Sequence, residues 1–266
     1  IIWHHGRNRL ARGKSTPTHI SSSEYSQHSQ PMYAGKYYYA GQPRLIPSTQ
    51  DHIMVLTNTG YIVGYDERRE DSVWVCYRLF KVDSLQAPPR PQRFETDPRI
   101  ASGISSSDYT GSGYDRGHLA PNFAIAVCYG PVAQLQTFLM SNIVPQRPHL
   151  NRGVWKNLEA TEIREYAQKF STIWVVTGPV FGGAAKKIGS QVDVPEKCYK
   201  IIAREEAGEP QALAFIMPQD VTSGEQPELF LTSVRQIERE TGLDFFNELP
   251  RDRQERLETS VANLMW

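Results

Sequence analysis

Asp115, Arg116, Gly117 and His118 stand in consecutive positions. An imidazole titrates near neutral pH and can take a proton from water. A guanidinium grips phosphate oxygens in a bidentate fork, and a glycine lets the backbone come close to a ligand. The stretch therefore reads as a general base beside a phosphate. On its own it also reads as a structural hydrogen-bond network, the commoner role of a histidine near an arginine and an acid. A second stretch shifts the balance. Leu150-Asn151-Arg152 opens a helical pattern that contains Glu159. Residues 151 and 159 of a helix are roughly 12 Å apart along the axis, at ~1.5 Å per residue. Both cannot be direct ligands of one ion. Asn151 at the helix start can be a ligand, and Glu159 can reach through a bound water. A cation that keeps most of its waters, as Mg²⁺ does, needs only one or two protein oxygens. Asn151 is equally a residue type that caps helices, and Glu159 has a surface reading as a partner of Lys156 or Arg152.

The surrounding pattern supplies elements to hold these groups. His52–Thr57, Tyr61–Tyr65 and Val73–Leu79 are β-rich runs separated by Asn58-Thr-Gly60 and by a charged turn over 66–71. They predict an antiparallel meander. Ala87-Pro-Pro-Arg-Pro91 breaks the pattern, and a Ser- and Gly-rich loop leads to Tyr114. After His118, residues 132–139 have short helical spacing, 140–144 read as a strand and 145–149 as a loop. Residues 151–170 give the best helix, with Val154, Leu158, Ile163, Tyr166 and Ala167 near one apolar face. Strands follow at 173–177, 198–203 and 212–217. Helices follow at 232–241, where Gly242 suits the end, and at 251–264. The expected fold is α+β, with a central antiparallel β-sheet flanked by helices.

Composition sets the outer bounds. The chain has 266 residues, 39% hydrophobic and 22% charged, within reach of one large domain. Lys plus Arg equal Asp plus Glu at 29 each, so the net charge is zero. That argues against a general electrostatic sponge for nucleic acid but leaves room for a local basic cleft. No apolar run is long enough to span a membrane. Cys76, Cys128 and Cys198 lack metal-ligand spacing and read as small buried hydrophobes, with one disulfide left open. The start at Ile1 without Met reads as a fragment or processed form. Residues 1–50 read as a loosely ordered arm ahead of a domain over 51–266. Its basic run, Arg7 to Lys14, reads as a solvated tail, and Tyr37-Tyr38-Tyr39 as packing of the arm onto the domain ahead of base stacking. Asn8 to Ser15 imitates a phosphate-binding loop but lacks its first glycine and a preceding strand.

Together, Asp115-Arg116-Gly117-His118, Ser141-Asn142-Ile-Val-Pro145-Gln146 and Leu150-Asn151-Arg152 with Trp155 and Leu158-Glu159 resemble the DNA/RNA non-specific endonucleases. These are the ββα-metal nucleases, endonuclease G among them. Thr96-Asp97-Pro98, Asp108-Tyr109-Thr110-Gly111, Val176-Thr177-Gly178-Pro179 and Thr241-Gly242-Leu243 extend the resemblance over about residues 50–250. It implies a ββα-metal motif and an endonuclease that cuts DNA and RNA to 5′-phosphate and 3′-hydroxyl ends. His118 would be the base that activates water. Asn151 would be the single protein ligand of Mg²⁺, with Mn²⁺ as a substitute, and Glu159 would act on it through water. Arg116 would stabilise the phosphate, and Asn142 would help arrange the site. An upstream arginine also contacts phosphate in the family; Arg93 is the best match, with Arg99 as rival. Arg152 stands where the family commonly has Gln, and His149 falls at a variable position, outside the site. The resemblance leaves room for a homodimer and for an inhibitor or immunity protein, and points to a secreted, periplasmic or organellar setting ahead of a cytosolic one. The competing readings are a nuclease toxin domain held in check by an immunity protein, and a catalytically weak nucleic-acid-binding relative.

Overall fold

In the computed structural model, alternating side chains divide the sheet residues between two apolar faces. Tyr61, Val63 and Tyr65 point to one face and Ile62 to the other. Val75, Tyr77 and Leu79 likewise oppose Trp74 and Cys76, and Ile173 and Val175 oppose Trp174 and Val176. A period of two with both phases apolar is what a sheet covered on both faces requires. The structure describes residues 34–46, 52–101, 103–183, 186–189 and 191–266. The basic run and the phosphate-loop imitation over 8–15 lie outside them.

Seven strands form the sheet, in the order Leu231–Thr232, Glu209–Pro218, Lys197–Glu206, Thr172–Val180, Asp71–Phe80, Tyr61–Asp66 and Ile53–Thr57. Every neighbouring pair is antiparallel. The fold is thus α+β around a central antiparallel sheet, as the sequence predicts. One face packs against the helical run over 150–170 and the helix Asn122–Tyr129. The other packs against the helices Val234–Thr241 and Arg251–Thr259. Residues of 34–46 join this second face. Tyr37 and Tyr39 are buried there, Trp174 Nε1 donates to Gly35 O at 3.1 Å, and Arg44–Leu45 pairs with Leu243–Asp244. Ser233 caps Val234–Thr241 by accepting from Gln236 N at 3.1 Å, and Gly242 ends it at φ +70°.

Several elements differ from expectation. The run over 150–170 is helical but irregular. Leu150–Trp155 and Glu162–Tyr166 are π turns, alternating with α-helical Lys156–Thr161 and Ala167–Phe170. A π turn takes an extra residue, which an apolar stripe read at 3.6 residues per turn does not reveal. The helix Asn122–Tyr129 escapes the pattern because Asn-Phe-Ala-Ile-Ala-Val-Cys-Tyr is apolar nearly all round. Met140–Asn142 is a 3₁₀ turn, and the strand is Ile143–Gln146, reaching into the expected loop. The three cysteines are free thiols.

Candidate active site

A two-stranded ribbon carries the first half of the site. Asp115–His118 pairs antiparallel with Ile143–Gln146, setting His118 opposite Ile143 and Gly117 opposite Val144. Gly117 is required by close approach: a Cβ there would sit 2.2 Å from Gln146 Oε1. Asn142 closes the ribbon at its end. Its side chain accepts from Ala120 N at 2.8 Å and donates to Ala120 O and Thr137 O, each at 3.0 Å. Fully buried and fully bonded, it fixes the turn that follows His118.

The helical run brings the second half. A cavity of about 540 Å³ is lined by His118 and Arg116 from the ribbon, by Asn151 and Glu159 from the run, and by Arg90 from the proline-rich loop. Asn151 Nδ2 donates to Asp115 Oδ2 at 3.0 Å. Arg152 grips the same carboxylate, Nε to Oδ2 at 2.7 Å and a second nitrogen to Oδ1 at 2.5 Å. Burial works to raise Asp115, but these hydrogen bonds hold it below the ordinary carboxylate range. The ionised Asp115 fixes the amide rotamer of Asn151 through its nitrogen, leaving the oxygen, the better cation ligand, free of that bond.

His118 is 8% exposed and enclosed by aromatic rings. Its ring centroid lies 5.4 Å from that of Phe94 and 5.0 Å from that of Phe138. Burial, reinforced by the Arg90 guanidinium, pushes its pKa down to about 3. Nε2 is buried with no hydrogen-bond partner. Glu159 also presents a buried oxygen, Oε1, with no partner. Burial raises its pKa to about 7 against the pull of the Lys200 ammonium, and the Glu162 carboxylate adds to the rise. Beneath it, Lys200 Nζ meets Glu162 Oε1 at 2.7 Å with both side chains fully buried, and Tyr77 Oη donates to Glu162 Oε2 at 2.7 Å. Arg116 donates to Ser106 O and, at 3.3 Å, to Thr110 Oγ1, and its guanidinium lies 5.9 Å from the Phe94 ring.

The structure thus brings together His118, Arg116, Asn151 and Glu159, with Asn142 beneath the ribbon. Arg93 and Arg99 fall elsewhere. Arg93 is exposed and lines a separate groove beside Leu135 and Leu139. Arg99 is tied to Asp97, with contacts of 2.8 and 2.6 Å. The upstream arginine facing the cavity is Arg90, its guanidinium 4.9 Å from the Phe138 ring. It stands among Pro88, Pro89 and Pro91, and that rigid flanking was its only signal in the sequence. Phe94, Phe138 and Asn122 were also missed as parts of the site. Among the described residues, Glu238, Asp244 and Glu258 are the acids close enough together to share a cation. Arg235 already bridges Glu238 and Glu258 at 3.1 and 2.7 Å, and burial, with the Glu238 carboxylate beside it, raises the Glu258 pKa to about 8.

A histidine on a two-stranded ribbon, facing an asparagine at the head of a helical run, defines a ββα-metal arrangement. The sequence model of the family described as DNA/RNA non-specific endonuclease matches residues 46–252. The chain belongs to that family. It is 35% identical over 213 residues to "Nuclease EXOG, mitochondrial" of Homo sapiens, covering 73% of this chain and 57% of that protein. It is 32% identical over 204 residues to "Endonuclease G, mitochondrial" of Homo sapiens, covering 70% and 67%. A crystal structure of the EndoG/EndoGI complex, described as showing the mechanism of EndoG inhibition, superposes with a TM-score of 0.66 at 29% identity. That match covers 77% of this chain and 89% of that one. The chain spans under two thirds of the EXOG relatives, 57% of the human protein and 60% of that of Mus musculus.

Proposed function

We propose that the protein is a metal-dependent endonuclease that hydrolyses phosphodiester bonds of DNA and RNA without regard to sugar. One observation carries the reading: Asp115 orients the Asn151 amide within the same cavity that holds His118 and the unpartnered Glu159 oxygen. This donor set fits a hard cation. Asn151 would hold Mg²⁺, with Mn²⁺ as a substitute, and Glu159 would act through a water; orphaned oxygens of this kind suit a hydrated ion. A bound Mg²⁺ would neutralise charge on the phosphate and activate its own waters.

The chain's own residues supply the rest. His118 is neutral in its aromatic enclosure and can therefore accept a proton from the attacking water. An incoming phosphate opposes the field of Arg90 and raises the proton affinity of the imidazole when a base is needed. Arg116 and Arg90 face the phosphate and favour the more highly charged transition state over the ground state. Contacts to phosphate carry no base information, which fits cleavage with weak sequence preference. Products carry 5′-phosphate and 3′-hydroxyl ends. The same reading gives the protein an organellar setting, in line with relatives named mitochondrial, and a protein inhibitor as partner, in line with the inhibited EndoG complex.

Plasmid and RNA degradation by wild type, His118→Ala and Asn151→Ala tests this, with and without chelator. Loss of cleavage in both variants and in chelator, by 10²- to 10⁴-fold for His118→Ala, is the expected result. Product ends should be ligatable without further treatment. Cleavage that survives in His118→Ala or in chelator would overturn the reading.

A further inference from the structure

Beyond the catalytic groups, the cavity has a wall with its own chemistry. Lys156 and Arg164 line it from the helical run, and Asn122 and Phe123 line it from the start of Asn122–Tyr129. The Arg164 guanidinium carbon lies 5.0 Å from the centroid of the Phe123 ring. Both Lys156 and Arg164 are exposed, and neither has a carboxylate partner among the described residues, whereas Arg152 is committed to Asp115. Asn122 Oδ1 is buried in this wall with no hydrogen-bond partner. Ala160, on the stripe between the two cations, lines the cavity with a small side chain and leaves space there.

We propose that this wall is a nucleotide subsite beside the scissile phosphate. A base stacks against the Phe123–Arg164 pair, the two cations hold flanking phosphates, and Asn122 Oδ1 accepts a hydrogen bond from the bound nucleotide. The proposal rests on the nuclease reading, because it takes a polynucleotide strand as the occupant of the cavity. Lys156 and Arg164 lie roughly 12 Å apart along the axis at ~1.5 Å per residue, far enough to take different phosphates. Aromatic stacking tolerates any base, and guanidinium planes stack as well as carry charge. The subsite thus adds affinity and a footprint without adding a sequence code.

The test is binding of a labelled single-stranded DNA oligonucleotide to the full chain in EDTA, followed by fluorescence anisotropy across a salt series. Each phosphate contact removed should flatten the slope of log K against log salt by about 0.7. Lys156→Ala and Arg164→Ala should each show that change. Arg239→Ala, an exposed arginine outside the cavity, should keep the wild-type slope. Arg164→Lys should restore the slope but not the full affinity, because it keeps charge and loses the planar stack. Phe123→Leu, which keeps apolar volume, should keep the slope and weaken binding about 5- to 100-fold. Slopes for Lys156→Ala and Arg164→Ala that match Arg239→Ala, with Phe123→Leu binding as wild type, would overturn the subsite. The readout needs no cleavage. A chain that binds in this pattern yet cuts nothing would support the subsite while removing the nuclease reading.

Discussion

His118 can act as a base only while unprotonated, and its aromatic enclosure enforces that form. Its folded-state pKa is near 3, against 6.5 for an unburied histidine. The unfolded chain therefore binds the proton more tightly. The contribution of neutral His118 to stability is complete above about pH 6.5 and is lost progressively as pH falls toward 3. Between pH 6 and 4 the wild type should lose stability faster than His118→Asn, by on the order of 1 kcal/mol per pH unit. Denaturant unfolding at several pH values measures this, and parallel curves would refute it. Arg90 makes a second prediction at this scale. Arg90→Ala should lower kcat/KM about 10²-fold, the typical cost of one lost donor to a developing charge. Arg93→Ala should cost at least tenfold less, because Arg93 faces another groove. Equal losses would return the phosphate contact to Arg93. The resemblance in sequence points to Arg93, with Arg99 as rival, and does not single out Arg90. His118, Asn151 and Glu159 sit on a ribbon and a helical run, where spacing carries geometry. Arg90, Phe94 and Phe138 reach the cavity through loop and turn conformations that no periodicity encodes.

Elements meet at Asp115, where the ribbon is bolted to the head of the helical run. Asp115→Asn keeps the shape but weakens its grip on the Asn151 amide and Arg152. Supporting contacts of this type typically change metal affinity 10- to 100-fold. A Mg²⁺ titration of cleavage rate should shift by that factor, with activity largely recovered at saturating metal; an unchanged midpoint would sever Asp115 from the metal half of the site. Asn142 bolts the other end of the ribbon through three buried hydrogen bonds. Asn142→Ala should destabilise the protein by roughly 3 kcal/mol, given ~1 kcal/mol per bond and the partners left unpaired. A melting temperature within a degree of wild type would contradict that role. The strands were legible because each buries a phase of its alternation. The π turns were not, because the extra residue in each turn is decided by packing against the sheet.

At the scale of the whole molecule, the buried Lys200–Glu162 pair links three elements: Lys200 on Lys197–Glu206, Glu162 in the helical run and Tyr77 on Asp71–Phe80. Removing one partner strands a charge in the core, so Lys200→Met should cost about 3–5 kcal/mol. The double variant with Glu162→Leu should recover much of it; chemical denaturation of the four proteins forms the cycle. Zero net charge proved compatible with a basic cavity because the cations are concentrated locally, something a total cannot show. The second apolar face of the sheet bears on how the chain is made. Tyr199, Ile201, Ala203 and Ala214 share a cluster with Val234, Ile237, Phe245 and Leu257, and the Tyr199 ring centroid lies 5.8 Å from that of Phe245. On a ribosome adding 5–20 residues each second, the roughly fifty-five residues from Ile201 to Leu257 take about 3–11 s to emerge. For that interval the nascent sheet exposes a greasy surface while the ribbon and helical run that carry His118, Asn151 and Glu159 are already outside the exit tunnel. Chaperone capture should therefore concentrate on nascent chains that have exposed Ile201 and fall once Val234–Thr241 and Arg251–Thr259 have packed on the sheet.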